Sequence, residues 1–178
     1  MKIIVLGNGQ SRRNIDINLL KQQGKVYACN AAYRDFMPDV LVAIDQVMAQ
    51  EIVKNQIHKH IPVYTREIYK LESCKPYKCL LSSGTTALKI ASEQNPSEII
   101  ILGMDFSSND GLVNNIYAGT TNYRDYDKAQ PPMTPWIYEF VDIINSNPGI
   151  KYTRLIDSNC LQLLLGANYE ERVLFDRI

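Results

Sequence analysis

Short, uninterrupted apolar segments, each followed by a turn and a helical segment, recur along most of this chain of 178 residues. The clearest are residues 3–6, 40–44 and 99–102, which read IIVL, VLVAI and IIIL. A strand that is apolar at every position must be covered on both faces, and this is the arrangement of parallel strands joined by helices. The pattern therefore predicts an α/β fold in which one mainly parallel sheet carries helices on both faces.

About six strands are expected in this sheet, at residues 3–6, 25–29, 40–44, 61–65, 98–102 and 151–156. Helices are predicted at residues 11–23, 46–55, 87–94 and 136–145, with a further short helix within 160–165. Ser11 or Asn14 is expected to cap the first of these helices, and Gly24 to end it. Thr134 is expected to cap the last, with Pro135 at its first helical position. Because no repeat or linker interrupts the pattern, we expect a single Rossmann-like domain over residues 1–178.

Residues 107–135 interrupt the alternation of strands and helices. This segment is rich in Asn, Asp, Gly and Tyr, and it is longer than a simple connection requires. Its polar groups include the hydroxyls of Tyr117 and Tyr123 and the guanidinium of Arg124. We therefore expect a lid or active-site loop here.

The charge balance argues against a nucleic-acid partner, because 19 basic and 19 acidic residues cancel. No apolar run is long enough to span a membrane, and no signal-peptide pattern opens the chain, so a cytoplasmic location is expected. Cys74 and Cys79 have a spacing found in zinc sites, but no second pair or nearby histidine completes one, and no metal site is expected. The expected partner is a small molecule, and the polar loop also allows a homo-oligomer.

The sequence KIIVLGNGQS at residues 2–11 is typical of a strand that runs through a glycine-rich turn into a helix. Glycines allow a tight turn and a close approach of backbone to ligand, and the free N–H groups of a helix start favour an anion. The third glycine of the dinucleotide fingerprint would fall at Arg12, so that motif is absent. A tight turn without a ligand is the alternative interpretation.

Polar residues follow four of the predicted strands: Asn8, Asn30, Asp45 and Asp105. In open α/β sheets, ligands bind outside the carboxyl ends of the strands. We therefore expect these four side chains to share one crevice. The alternative is that each one only makes a turn, as Asn and Asp often do.

A second helix start, SSGTT at residues 82–86, offers small hydroxyls and a glycine. Such a start can bind a carboxylate or phosphate through backbone N–H groups and hydroxyls. It is not a P-loop, because no Gly-Lys-Ser/Thr closes it. Plain capping by Ser82 or Ser83 is the alternative.

Taken in order, GNGQS, Asn30, SSGTTALKIA and EIIILGMDF resemble the nucleotide-binding half of the bacterial sialyltransferases. The same series resembles the related 6-hydroxymethylpterin pyrophosphokinases. The resemblance extends over about residues 1–117. It implies nucleotide binding by the following residues: Asn8, Gly9, Ser11, Asn30, Asp45, Ser83, Gly84, Thr85, Gly103, Tyr117 and Tyr123.

The resemblance to sialyltransferases implies inverting transfer of a sugar from a CMP-type donor to a hydroxyl acceptor, with no cofactor. Those enzymes carry a histidine base beyond the G-x-D-F strand, whereas this chain has no histidine after His60. Asp105, Asp125 and Asp127 are the carboxylates available as catalytic residues, with the base itself unassigned. The pyrophosphokinase alternative would require Mg²⁺, with Asp45 and Asp105 as ligands. A non-catalytic nucleotide-binding or interaction module is the third possibility.

Overall fold

The computed structural model of the chain describes residues 1–174, apart from the side chain of Asn109. These residues form one sheet of eight strands, all of them parallel. The strands are β1 (Lys2–Leu6), β2 (Lys25–Cys29), β3 (Val40–Ala43), β4 (Val63–Arg66), β5 (Lys75–Tyr77), β6 (Glu98–Leu102), β7 (Lys151–Ile156) and β8 (Tyr169–Val173). The helices are α1 (Ile17–Lys21), α2 (Gln46–Lys54), α3 (Ser83–Ser92) and α4 (Thr134–Asn145).

The spatial order of the strands is β5-β4-β3-β2-β1-β6-β7-β8. The chain therefore builds outward from β1 in one direction, and the connection through α3 returns it to the other side of β1. The change of direction lies between β1 and β6, and ligands of open α/β sheets bind beside such a point.

Helices cover both faces of the sheet, as the apolar strands predicted. In β1, Ile3 and Val5 pack with α3 and α4 on one face, while Ile4 and Leu6 pack with α1 and α2 on the other. All four side chains are fully buried. Burial of each is worth about 1.5–3 kcal/mol, so this strand anchors the glycine turn that follows it. The predicted α/β fold class is confirmed.

The prediction of six strands was wrong, because two edge strands escaped the apolar pattern. The strand β5 contains Pro76, and β8 reads YEERV. Edge strands are covered less completely than central ones, so they accept proline and charged residues.

Several predicted helix bounds were also wrong. Ser11 lies in a single 3₁₀ turn, and α1 starts only after Asp16, whose side chain accepts the N–H of Asn18. Thr134 is the first residue of α4 and not its cap, which moves Pro135 to the second helical position. Residues 160–165 contain no helix. Ser11 does not cap a helix because its N–H and hydroxyl groups donate to the carboxylate of Asp105, as described below.

Within residues 1–174, no helix is long and apolar enough to cross a membrane.

Candidate functional site

A cavity of about 510 Å³ opens at the carboxyl edge of the sheet, beside the divergence of β1 and β6. The ends of β1, β2, β3 and β6, the first turn of α3, the segment 107–135 and the start of α4 all contribute to its lining. We call it the switch-point cavity, and residues 107–135 the lid segment. The volume is that of a small-molecule site.

Most of the predicted site residues line the switch-point cavity: Asn8, Gly9, Asn30, Asp45, Ser83, Gly84, Thr85, Gly103, Asp105 and Tyr123. The others, Ser11, Tyr117, Asp125 and Asp127, are not among the described residues that line it.

The glycine turns after β1 and β6 pack backbone against backbone. The N–H of Gly7 donates to the carbonyl of Leu102 and that of Gly9 to the carbonyl of Gly103, both at 2.8 Å. A Cβ on Gly7 would lie 2.2 Å from the Gly103 carbonyl oxygen, and Gly103 itself has a φ of +66°. Glycine is therefore required at both positions for the two turns to meet and form the floor of the cavity.

Asp105 connects these two turns through its side chain. Its carboxylate accepts the N–H of Ser11 at 3.1 Å and the hydroxyl of Ser11 at 2.5 Å, and the residue is buried. A Cβ on Gly9 would lie 2.4 Å from the same carboxylate. With both oxygens bonded, Asp105 is better suited to hold the turn than to act as a base or a metal ligand.

A buried arginine supports Asp105 from β7. The guanidinium of Arg154 donates to the carbonyls of Met104 at 2.9 Å and Asp105 at 3.0 Å, and it pairs with Glu171 of β8 at 2.8 Å. Arg154 is almost completely buried. The outer strands β7 and β8 therefore fix the backbone that carries Asp105.

Asn8 uses both ends of its side-chain amide inside the protein. Its Oδ1 accepts from Arg12 at 3.1 Å, and its Nδ2 donates to the carbonyl of Cys29 at 3.3 Å and the hydroxyl of Tyr123 at 3.2 Å. The Tyr123 hydroxyl also accepts the N–H of Ala31 at 3.2 Å. Asn8 thus positions Tyr123, and it is Tyr123 that retains an unused donor.

The two lid tyrosines have different surroundings. Tyr117 packs against Tyr123, but its hydroxyl accepts from Arg12 at 2.9 Å and donates to Asp35. Burial raises the pKa of both hydroxyls well above the ordinary value, so both remain protonated at neutral pH. Of the two, only Tyr123 lines the cavity with a proton that has no acceptor among residues 1–174.

Asn30 presents a further donor. Its φ of +52° is a left-handed conformation that asparagine tolerates better than most residues. Its Oδ1 accepts the hydroxyl of Ser83 at 2.8 Å, and that hydroxyl accepts the N–H of Ile44 at 3.1 Å. The Nδ2 of Asn30 has no acceptor within the described part of the chain, which leaves it available to a ligand.

The first turn of α3 presents backbone donors to the same cavity. Ser82 caps the helix by accepting the N–H of Thr85 at 3.0 Å. The N–H groups of Ser83 and Gly84 have no partner in residues 1–174, and they carry the partial positive charge of a helix start. Glu139 of α4 holds this turn in place by accepting the hydroxyl of Thr85 at 2.6 Å.

Hydrogen bonds close the lid segment at its base and fasten it to the turn after β1. The N–H of Val113 donates to the carbonyl of Lys128 at 3.0 Å, and this bond joins the early part of the lid segment to its late part. The N–H of Gln10 donates to the side chain of Asn114 at 2.8 Å, and the N–H of Ile116 to the carbonyl of Asn8 at 2.8 Å. These bonds hold the lid segment against the turn after β1, and several of its residues line the cavity.

A second anchor lies on the α2 side. Arg34 pairs with Glu51 at 2.6 Å and donates to the hydroxyl of Thr120 at 2.9 Å, while Asn122 donates to Glu51 at 2.6 Å. This cluster fixes the lid segment to α2 and holds Tyr123 over Asn8.

Charged side chains are few around the cavity. Arg124 is the one cation in the described lining, and it has no ion-pair or hydrogen-bond partner for its side chain within residues 1–174. Asp45 lies at the start of α2, exposed and without a side-chain cap bond. Asp125 and Asp127 are exposed on the lid segment. Asp45 is therefore the carboxylate of the lining that is free to act on a ligand.

The residues present do not favour a protein-held metal ion. The described residues contain no group of three His, Cys, Asp or Glu side chains placed to hold one. Of the two Mg²⁺ ligands expected from the pyrophosphokinase resemblance, Asp105 is bonded to Ser11 and only Asp45 is free. Thiolate chemistry is also disfavoured, because burial raises the pKa of the Cys29 thiol to about 12.

Sequence reasoning missed Arg12, Glu139 and Arg154. Arg12 stands where the dinucleotide motif would have its third glycine, which gives no signal for its burial, and Glu139 lies in an ordinary helical segment. The available signal for Arg154 was a charged residue in the middle of the predicted strand 151–156, which reads KYTRLI, since a central position of a covered strand is buried.

Comparison with family models, with curated proteins and with solved structures finds no match for this chain.

Proposed function

We propose that the switch-point cavity binds a nucleotide or nucleotide sugar, and that the protein is a small glycosyltransferase of sialyltransferase-like architecture. The observation that carries this proposal is that unused hydrogen-bond donors converge on one cavity. They are the hydroxyl of Tyr123, the Nδ2 of Asn30, the N–H groups of Ser83 and Gly84, and the guanidinium of Arg124.

A set of donors selects a ligand that is rich in acceptors. A phosphate group offers several acceptor oxygens and negative charge, which suits both a helix start and an arginine. The glycine turn after β1 has no Cβ atoms, so a ligand can approach its backbone closely. Nucleoside phosphates combine such a group with a ribose and a base, which together suit a cavity of about 510 Å³.

For sugar transfer, the oxygen of an acceptor hydroxyl would attack the anomeric carbon of the donor. The bond from that carbon to the phosphate oxygen would break, and its electron pair would leave with the nucleotide, where donors such as Tyr123 stabilise the charge. The proton of the acceptor hydroxyl would pass to a base. We assign Asp45 to that role, because its carboxylate lines the cavity and has no partner in residues 1–174.

Nucleotide binding is tested by thermal unfolding and calorimetry with CMP, UDP, ADP and ATP, each with and without Mg²⁺. A nucleotide at 100 times its Kd stabilises the fold by about 2.7 kcal/mol. Asn30→Ala should abolish most of the shift, whereas Asn18→Ala, an exposed change on α1, should leave it intact. Failure of every nucleotide and nucleotide sugar to shift the transition would refute the proposal.

Sugar transfer is tested separately by following nucleotide release from CMP-sugars. Asp45→Asn should retain CMP binding and lose release, while Asp127→Asn should retain both. A binding module is the second candidate function, favoured by the absence of histidine after His60 and by the bonding of Asp105 to Ser11. Tight nucleotide binding without any release would favour that candidate. ATP consumption that depends on Mg²⁺ would instead indicate a diphosphotransferase.

A further inference from the structure

Arg12 is a buried cation without a buried counter-anion. Its side chain is 3% exposed, and no carboxylate of residues 1–174 lies within ion-pair distance of it. Its guanidinium donates to Asn8 and Tyr117 and lies 5.6 Å from the centre of the Tyr117 ring. Its Nε has no partner in the described chain. Such burial is costly, and a buried polar group without a partner calls for a reason.

The contact with Arg12, together with the longer contact to the Cys29 carbonyl, fixes the orientation of the Asn8 amide. A guanidinium has donors only, so the atom of Asn8 that faces it must be the oxygen Oδ1. The Nδ2 of Asn8 must then face the opposite side, where it meets the Cys29 carbonyl and the Tyr123 hydroxyl. Rotation of the amide by half a turn would set two donors against each other at Arg12.

The orientation of Asn8 in turn determines what the Tyr123 hydroxyl can do. The oxygen of Tyr123 already accepts two N–H donors, from Asn8 and from Ala31. With both acceptor positions filled, the hydroxyl proton is the one remaining hydrogen-bonding group on that oxygen. It has no acceptor within residues 1–174, and Tyr123 lines the switch-point cavity.

We propose that Arg12 is a positioning residue that acts through Asn8 to make the Tyr123 hydroxyl a donor dedicated to an anionic acceptor oxygen in the cavity. The proposal rests on the proposed function in one respect, the identity of that oxygen as part of a nucleotide phosphate. Tyr117 supports the same arrangement. Its hydroxyl accepts from Arg12 and donates to Asp35, so that it links the guanidinium of Arg12 to a carboxylate.

The test is a double-mutant cycle in CMP affinity with Arg12→Met and Tyr123→Phe. Loss of one hydrogen bond to a charged group weakens affinity by about tenfold, so Tyr123→Phe should cost about that factor. Arg12→Met should cost a similar factor in the parent protein and almost nothing in the Tyr123→Phe background. Tyr126→Phe, an exposed change on the same lid segment, is the matched control and should not alter affinity.

An equal loss of affinity from Arg12→Met in both backgrounds would overturn the proposal, because a purely structural arginine would act in that way. If Arg12→Met does not fold, Arg12→Lys serves in the same cycle. A lysine retains a donor for the Oδ1 of Asn8 and should keep most of the affinity, so a loss as large as that of Tyr123→Phe would also overturn the proposal.

A measurement without a ligand separates this inference from the proposed function. In protein labelled at the ζ carbon of tyrosine, the resonance of Tyr123 reports the hydrogen bonds of its hydroxyl. Arg12→Met should shift that resonance, and an unchanged resonance would refute the positioning role. Should CMP fail to bind while the resonance shifts, the proposed ligand fails and the positioning role stands.

Discussion

The substitution Gly9→Ala tests the contact that holds the two glycine turns together. Gly9 has a φ of −64° and a ψ of 156°, an extended conformation that alanine adopts without strain. Any effect of the new methyl group must therefore come from what it touches. It would lie 2.4 Å from the carboxylate of Asp105, about 1 Å inside the ~3.5 Å at which carbon atoms make ordinary contact.

The magnitude follows from how the carboxylate can respond. A retreat of about 1 Å would lengthen the two hydrogen bonds from Ser11, now 3.1 and 2.5 Å, to or beyond the usual limit. Overpacking costs about 1–3 kcal/mol, and each lost bond to a charged group costs up to about 1.5–3 kcal/mol. Because water in the cavity can solvate the displaced carboxylate, we expect a total of about 3 kcal/mol, or a fall in Tm of about 6–12 °C for a chain of this size.

The assay is urea unfolding of four proteins: the parent, Gly9→Ala, Asp105→Ala and the double variant. Gly149→Ala is the matched control, because a Cβ there meets no atom within 4 Å. The cost of Gly9→Ala should disappear in the Asp105→Ala background, where the colliding carboxylate is absent. The reasoning would be refuted if Gly9→Ala cost the same in both backgrounds, or no more than Gly149→Ala.

Two further predictions concern the supports of the site. Arg154→Met should lower the free energy of unfolding by about 3–5 kcal/mol, because it removes the cation from the carboxylate of Glu171, whose side chain is only 13% exposed. Adding Glu171→Leu should recover much of the loss in urea unfolding. No recovery would contradict this account. At Glu51, burial raises the pKa of the carboxyl, but hydrogen bonds from Arg34 and its neighbours outweigh it and hold the pKa below the ordinary value of 4.5. Because the pKa of Glu51 is lower in the folded state than in the unfolded state, the ionised carboxylate stabilises the fold. This stabilisation is complete above pH 4.5 and is lost as the pH falls through the pKa of the folded state. The difference in unfolding free energy between the parent and Glu51→Gln should therefore shrink in acid, and a difference independent of pH would count against the prediction.

The central strands were predictable from sequence because their environment admits only apolar side chains. β1, β2 and β6 were predicted with little or no error in their bounds, since each is covered by helices on both faces. β5 and β8 were missed, because an edge strand is paired on one side only and accepts Pro76 or the charged run of YEERV. The start of the first helix was mispredicted for a different reason. Ser11 is bonded to Asp105, a distant residue, and therefore does not cap the helix as its local sequence suggests.

The convergence of Asn8, Asn30, Asp45 and Asp105 on one cavity was also within reach of the sequence. Parallel strands end at the same edge of a sheet, so residues that follow them are brought together by the fold class alone. The sequence by itself therefore determined the fold class, the edge of the sheet at which the cavity lies and the glycine turn that forms the floor of the cavity.

Only the tertiary structure decided which polar groups at that edge remain free. Asp105 is bonded to Ser11, and Asn8 is bonded to Arg12, Cys29 and Tyr123, whereas the hydroxyl proton of Tyr123 has no acceptor in residues 1–174. The physical reason is that a hydrogen-bonding group is used or unused according to its partners, and decisive ones lie far away in the chain: 94 residues separate Ser11 from Asp105, and 115 separate Asn8 from Tyr123. No local pattern records those partners. The glycine turn could thus be predicted from the sequence, whereas the hydrogen-bonding groups that remain free beside it depend on the residues that pack against it.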